Sequence, residues 1–109
     1  MSDDRIEYML DERTTRTIVR VKGRLLLTNI DTVKKPLTDI IEKDNKELVF
    51  DMAALEHIDS SGIGLIIQMH RKAMAAGKAV RFTSLSSQVK SIFKSAGLDQ
   101  MLDIADEIV

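Results

Sequence analysis

The segment Asp59-Ser60-Ser61-Gly62-Ile63-Gly64 decides the fold that the rest of the chain supports. It follows the apolar run Leu48-Val49-Phe50 and precedes a second apolar segment, Leu65-Ile66-Ile67-Gln68-Met69. This order predicts a buried strand, a connecting loop and the start of a helix. Side-chain oxygens of Asp and Ser accept hydrogen bonds from the unpaired N–H groups of a first helical turn, so the segment favours a helix N-terminus.

Two glycines, Gly62 and Gly64, stand in the first turns of this predicted helix. Each Gly inside a helix costs about 1 kcal/mol relative to Ala. A sequence accepts that cost where something approaches the backbone closely. We therefore predict that the Ser61 hydroxyl between them is accessible. Two plainer interpretations stay open: the glycines only pack the helix on the sheet, and Ser61 is only a cap, although Ser60 is the better cap candidate.

Size and composition indicate one globular domain over residues 1–109. The chain has 109 residues, of which 44% are hydrophobic, and no Cys, which excludes disulfides and thiolate metal sites and fits a reducing compartment such as the cytoplasm. No apolar run approaches the roughly 18 residues of a membrane span, and the polar start Met1–Arg5 is unlike a secretory signal. Aromatic residues make up 4% of the chain, which argues against stacking on nucleic-acid bases.

Charge is distributed unevenly along the chain. The net charge is −1, yet no Asp or Glu occurs between Ser60 and Leu98. Two interpretations stay open: the basic side chains solvate two helices, or they face an acidic protein surface. The basic residues of this segment are Arg71, Lys72, Lys78, Arg81, Lys90 and Lys94.

The first half of the chain predicts a hairpin and a helix. Strands are predicted at Ile6–Leu10 and Thr17–Lys22, joined by a polar turn and ended by Gly23. A helix capped by Thr28 or Asn29 follows, and Asp44-Asn45-Lys46 ends it. Pro36 inside this helix predicts a kink or a late start. The apolar face of the helix consists of Ile30, Val33, Leu37, Ile40 and Ile41.

The second half alternates strands with helices. A central strand is predicted at Glu47–Met52, followed by a crossing loop at Ala53–Ile58. The motif helix follows at Ser60–Ala76, with Gly77 as its C-cap glycine. The remaining predicted elements are a strand at Ala79–Thr83, a helix begun by Ser86 or Ser87 and stopped by Gly97, and a last strand at Leu102–Ile104. The motif helix has two apolar rows, so either its buried stripe is wide or one row contacts a partner. The first row consists of Ile63, Ile66, Ile67, His70 and Met74. The second row consists of Leu65, Met69 and Ala73.

The element order β-β-α-β-α-β-α-β predicts an α/β fold. Strand–helix–strand units favour parallel pairing with right-handed crossovers, and the opening hairpin adds an antiparallel edge. We expect a mixed sheet of four or five strands with helices packed mainly on one face.

Several stretches of the chain resemble STAS domains, specifically the bacterial anti-sigma factor antagonists. The resemblance lies in Leu48–Met52, Ile58–Leu65, Gly23-Arg24-Leu25 and the block from Ser86 to Ile92 with Ala96-Gly97-Leu98, and it extends roughly from Ile6 to Ile104. It implies the STAS fold and a partner-switching mechanism. The unphosphorylated protein binds an anti-sigma factor, which is itself an ATP-dependent serine kinase, and so releases a sigma factor; a PP2C-type phosphatase later removes the phosphate.

The resemblance assigns roles to named residues. Ser61 matches the serine that the kinase phosphorylates. Residues expected at the partner surface are Thr28, Asn29, Asp59, Ser60, Gly62, Ile63 and Gly64, with Leu65 and Met69 as apolar contacts.

One position departs from the family pattern. Many members carry an Asp after the Gly-x-Leu, where this chain has Leu26, and some members are scaffold subunits of transporters or signalling assemblies that are never switched. That scaffold role is the alternative function. Catalysis by the chain is not expected, because Ser61 lacks the Gly-x-Ser-x-Gly pattern and neither His57 nor His70 occurs in a pattern that makes it a base. We expect no cofactor and no metal.

Overall fold

The computed structural model describes residues 5–43 and 46–107 of the chain. Strands and helices alternate along these ranges after an opening pair of strands. The elements are β1 (Ile6–Glu12), β2 (Arg16–Leu25), α1 (Asp31–Lys43), β3 (Glu47–Ile58), α2 (Ser60–Ala75), β4 (Val80–Thr83), α3 (Ser87–Ser95), α4 (Leu98–Met101) and β5 (Asp103–Ala105).

The strands form one five-stranded sheet in the order β1-β2-β3-β4-β5. β1 pairs with β2 in antiparallel fashion, and every later neighbour pair is parallel. This confirms the predicted mixed sheet with an antiparallel N-terminal hairpin at its edge. The long strand β3 lies at the centre, so its last residue delivers the chain directly into α2.

Helices and core occupy one face of the sheet, as predicted. Phe50 of β3 and Phe82 of β4 stack with ring centroids 5.2 Å apart, and Phe93 of α3 meets Phe82 edge-on at 6.5 Å. Ile66 of α2 and Val89 of α3 belong to the same buried cluster. Burial of this apolar face holds α2 and α3 on the sheet.

The opposite face of the sheet is covered by ion pairs instead of helices. Ile18 and Val49 are each 1% exposed but lie outside the main core cluster. Side chains two residues apart on a strand point to the same face. Arg20 therefore lies on the face of Ile18, and Glu47 and Asp51 lie on the face of Val49. The aliphatic stems of arginines keep water from such apolar positions. The ion pairs of this face are Arg13–Asp11, Arg20–Asp11, Arg20–Asp51, Arg81–Glu47 and Arg81–Asp103.

The crossing loop predicted at Ala53–Ile58 is wrong, because β3 continues to Ile58. The pairing of β2 with β3 shifts twice, between Arg20 and Lys22 and between Gly23 and Arg24, so β3 contains bulged residues. A bulge interrupts the alternation of inward and outward side chains, which is the signal that identifies a strand from sequence.

Gly23 does not end β2, which runs on to Leu25. Gly23 has a φ of +116°, and a Cβ atom placed on it would lie 2.1 Å from the carbonyl oxygen of Arg5. Arg24 donates its N–H to that same oxygen at 3.1 Å. Glycine is therefore needed here for the close passage of the N-terminal segment, and the strand continues through it.

Helix boundaries differ from the prediction at the start of α1 and after Gly97. α1 begins at Asp31 and contains Pro36, so the late start is wrong. The predicted end of that helix includes Asp44 and Asn45, which lie outside the described residues. The short helix α4 was not predicted; it follows Gly97, which has a φ of +75° and stops α3 as expected.

Candidate functional site

Asp59 caps helix α2. Its backbone is extended, with φ −100° and ψ −174°, and its Oδ1 accepts a hydrogen bond from the N–H of Gly62 at 3.0 Å. The cap is therefore the Asp and not Ser60, the residue that the sequence favoured for this role. Ser60 is the first residue of the helix and its side chain is exposed.

The same carboxylate ties α2 to the loop between β2 and α1 (residues 26–30, hereafter the β2–α1 loop). Oδ2 of Asp59 accepts from the N–H of Leu27 at 2.9 Å, and the N–H of Asp59 donates to the carbonyl of Leu25 at 3.1 Å. Burial by itself would raise the pKa of this carboxyl, but hydrogen bonds from the backbone N–H groups of Leu27, Gly62 and Ser61 lower the pKa on balance. The carboxylate is thus kept charged where it serves as an acceptor for three N–H groups.

Asn29 holds the β2–α1 loop from the inside. Its Oδ1 accepts from the N–H of Leu26 at 3.0 Å, and its Nδ2 donates to the carbonyl of Arg24 at 2.6 Å. Asn29 is 7% exposed, so its side chain does not extend the partner surface as predicted. Its role is to shape the loop, whereas the neighbouring Thr28 is exposed as expected for a surface position.

The two glycines of α2 have different surroundings. A Cβ on Gly62 would lie 2.5 Å from Cγ1 of Ile58 and 2.8 Å from the carbonyl oxygen of Leu25. A Cβ on Gly64 would have no atom within 4 Å, and Gly64 is exposed. Gly62 is therefore explained by close packing of α2 on the sheet, and Gly64 is not explained by anything within the described domain.

Ser61 lies in the first turn of α2 with its side chain half-buried. The first turn contains no acidic residue. The helix dipole makes this end of a helix favourable for a negative charge, while the N–H groups of Gly62 and Ile63 already donate to the side chain and the carbonyl of Asp59. The helix dipole is therefore the feature of this site that favours an anionic group near Ser61.

Leu65 and Met69 do not lie on the surface, which corrects their predicted role as apolar partner contacts. They are 3% and 1% exposed and belong to the core cluster. In the other apolar row, Ile63 and Ile67 are half-buried and Met74 is 66% exposed, while Ile66 is 1% exposed. Two apolar rows on one helix look equally suited to the core until the packing of the neighbouring elements is known.

The basic segment from Ser60 to Leu98 does not form a single unpaired surface. Three of its six basic side chains make ion pairs with carboxylates from other parts of the domain, which neutralises half of its charge. These pairs are Lys72–Glu42, Arg81–Asp103 and Lys90–Asp106, with N–O distances of 2.8, 3.2 and 3.6 Å.

Sequence reasoning missed Leu27 as a member of this region. Its side chain is 69% exposed while Leu25, two residues earlier, is 2% exposed. The run Leu25-Leu26-Leu27 at a strand end signals only that one leucine is left outside the core, and alternation would select Leu26. Leu27 is the exposed one because β2 ends at Leu25 and the chain turns there.

Neither a metal centre nor a membrane span is found in the described chain. Among residues 5–43 and 46–107, no group of three or more His, Cys, Asp or Glu side chains could hold a metal ion. Within the same ranges, every helix is too short or too polar to cross a bilayer.

Comparison with known proteins agrees with this architecture. The sequence model of the STAS domain matches residues 7–109. An anti-sigma factor antagonist from Mycobacterium paratuberculosis has a similar structure, with a TM-score of 0.85, 16% identity and coverage of 94% of this chain and 87% of that one. The anti-sigma factor antagonist SpoIIAA in its unphosphorylated form gives a TM-score of 0.75 at 21% identity, covering 93% and 90%. The Bacillus cell fate determinant SpoIIAA in its phosphorylated form gives 0.69 at 20% identity, covering 93% of both chains.

Proposed function

The chain belongs to the STAS domain family, and from that premise we propose that it is an anti-sigma factor antagonist switched by phosphorylation of Ser61. In its unphosphorylated form it binds an anti-sigma factor that is also a serine kinase, and a sigma factor is released in the cytoplasm. The kinase transfers the γ-phosphoryl group of ATP to the Ser61 oxygen, which loses its proton, and ADP leaves. A PP2C-type phosphatase restores the hydroxyl by hydrolysis.

The observation that carries this proposal is the contrast around Ser61. The serine stands in the first turn of a helix whose cap is provided by another residue, Asp59. Beside it, Gly64 is exposed and without a packing role. A partner backbone can approach such a surface closely. The related structures of SpoIIAA in unphosphorylated and phosphorylated forms support the same kind of chemistry on this fold.

The fold tolerates a phosphate at this position. A phosphoserine adds about −1.5 to −2 charges at neutral pH. The dipole of α2 favours such an anion at the N-terminal end of the helix. Phosphorylation of Ser61 therefore changes the stability of the domain little.

Binding responds strongly to the same phosphate. An interface that closes over Ser61 must strip water from a doubly charged group and accept like-charge contacts, which costs several kcal/mol. Each 1.4 kcal/mol is a tenfold change in affinity. One modified side chain can thus abolish the complex without any rearrangement of the domain.

The test is a titration of the anti-sigma factor kinase with three forms of the domain. Wild type and Ser61→Ala are expected to bind, and Ser61→Asp is expected to bind at least about 100-fold more weakly. Equal affinities of Ser61→Ala and Ser61→Asp would refute the switch.

A scaffold subunit that is never phosphorylated is the second candidate, and the apolar residue at position 26 favours it. Incubation of the domain with the kinase and ATP separates the two functions. A switched antagonist gains the mass of one phosphate, and a scaffold gains none.

A further inference from the structure

Leu27 is unusual among the exposed apolar side chains. In the described part of the chain, five large hydrophobic residues are exposed, and Leu27 is the one that lies beside the start of α2. The others lie on β1, at the last turns of α2 or in α4. The five are Met9, Leu10, Leu27, Met74 and Met101.

The backbone that carries Leu27 is fixed by hydrogen bonds. Its own N–H donates to Asp59 at 2.9 Å. The carbonyl of the preceding residue, Leu26, accepts from the N–H groups of Asn29 and Ile30 at 3.0 and 2.9 Å. The backbone at Leu27 is therefore fixed by a formed loop, from which the side chain extends into solvent.

The β2–α1 loop and the start of α2 form one connected surface. The two oxygens of the Asp59 carboxylate accept from Leu27 of the loop and from Gly62 of the helix. A partner that covers Ser61 in this first turn therefore also meets the loop. The loop, residues 26–30, contains no charged side chain, and its two exposed side chains are those of Leu27 and Thr28, so Leu27 provides the larger apolar contact that it offers to a partner.

We infer that Leu27 is the apolar anchor of this interface, inserting into an apolar pocket on the anti-sigma factor kinase. This inference rests on the proposed function and adds the chemistry of the partner's contact. Anchors of protein interfaces are apolar side chains that enter desolvated pockets, and an anchor that is already ordered loses less entropy on binding.

The experiment compares substitutions of two side chains with nearly equal exposure. Leu27 is 69% exposed and Met9, on the edge strand β1, is 70% exposed. Leu27→Ala is expected to weaken binding of the purified kinase by about 10- to 100-fold, whereas Met9→Ala changes it by less than about twofold. Leu27→Met keeps an apolar side chain of similar volume and restores most of the affinity. Thermal unfolding of each variant is expected to match that of wild type, since both side chains are exposed.

Each outcome of this experiment decides the inference. If Leu27→Ala binds as tightly as wild type while Ser61→Asp does not bind, the anchor is wrong and the proposed function stands. If wild type does not bind the kinase, both fall. If sedimentation shows that the domain self-associates and Leu27→Ala abolishes only that, the occupant is a second copy of the chain and the inference is overturned.

Discussion

Helices α2 and α3 begin with the same local chemistry and differ in what surrounds it. Asp59 and Ser86 each cap a helix by accepting a hydrogen bond from the N–H three residues later, at 3.0 and 3.2 Å. Only Asp59 also holds a second segment, since its other oxygen accepts from Leu27. Cap chemistry is therefore common to both helices, and the attachment to a neighbouring loop distinguishes the start of α2.

A second difference lies two residues beyond each capped N–H. This position is Gly64 in α2 and Ser91 in α3, and both are exposed. The α3 sequence places an ordinary side chain there, whereas α2 keeps a glycine that no contact within the described domain requires. The start of α2 thus carries a cost in helix propensity that α3 avoids, which is typical of a surface adapted to a partner.

The largest expected contrast between the two helix starts is in partner affinity. Ser61→Asp places a negative charge in the first turn of α2, and Ser87→Asp places the same charge in the first turn of α3. We expect the first to weaken kinase binding by at least about 100-fold and the second by less than about threefold, because only the first charge lies in the proposed interface. Titration calorimetry with the purified kinase measures both, and a similar loss for the two variants would contradict the assignment of the interface to α2.

The next contrast is in stability. Asp59→Ala removes a charged acceptor that serves N–H groups of both α2 and the β2–α1 loop, so it is expected to destabilise the domain by about 3 kcal/mol. Ser86→Ala removes an ordinary cap and is expected to cost about 1 kcal/mol. Urea unfolding of the two variants measures the difference, and equal losses would show that the second attachment of Asp59 contributes nothing.

Alanine substitutions of the two glycines of α2 are expected to change the free energy of unfolding by smaller amounts and in opposite directions. Gly62→Ala forces a Cβ against Ile58 and Leu25 and is expected to lower the free energy of unfolding by about 1–2 kcal/mol. Gly64→Ala meets open space and is expected to raise it by up to about 1 kcal/mol through helix propensity. We also expect Gly64→Ala to weaken kinase binding, and a variant that gains stability at full affinity would leave Gly64 without a role.

The smallest expected effect is a pH dependence that distinguishes the two caps. The pKa of Asp59 is lower in the folded domain than its unfolded value of about 3.9. Its contribution to stability is therefore complete above that value and is lost as the pH falls through the folded pKa. Urea unfolding of wild type and Asp59→Asn across this acidic range is expected to show a stability difference that shrinks on acidification.

The Ser86 cap is the control for this experiment, because a serine hydroxyl does not titrate in the acidic range. The difference between wild type and Ser86→Ala is expected to stay constant with pH. If the Asp59→Asn difference is equally constant, the carboxylate charge is not what stabilises the start of α2.

The fold could be predicted from sequence to a large extent, because its strands and helices have clear periodicity and its helix starts carry Asp or Ser. The length of β3 could not be predicted, because its bulges put Ala53 and Ala54 on the surface and interrupt the alternation that identifies a strand. Gly23 was wrongly predicted to end β2, because its close approach to the backbone of Arg5 is a contact between distant segments that the sequence does not show.

The candidate site could be predicted only in outline. The motif places Ser61 at the start of α2, which the structure bears out. The choice between the two apolar rows of α2 depends on how the helix docks, so Leu65 and Met69 were assigned to the wrong environment. The distinct surroundings of Gly62 and Gly64, and the exposure of Leu27, likewise follow from distances between segments far apart in the chain.

The most direct test of the account is the position of the phosphate after the wild-type domain is incubated with the kinase and ATP. Mass spectrometry of the digested product is expected to find a single phosphate, on Ser61, and Ser61→Ala is expected to remain unmodified. A phosphate on Ser60 or Ser87, or a domain that binds the kinase and is never phosphorylated, would contradict the switch at the start of α2.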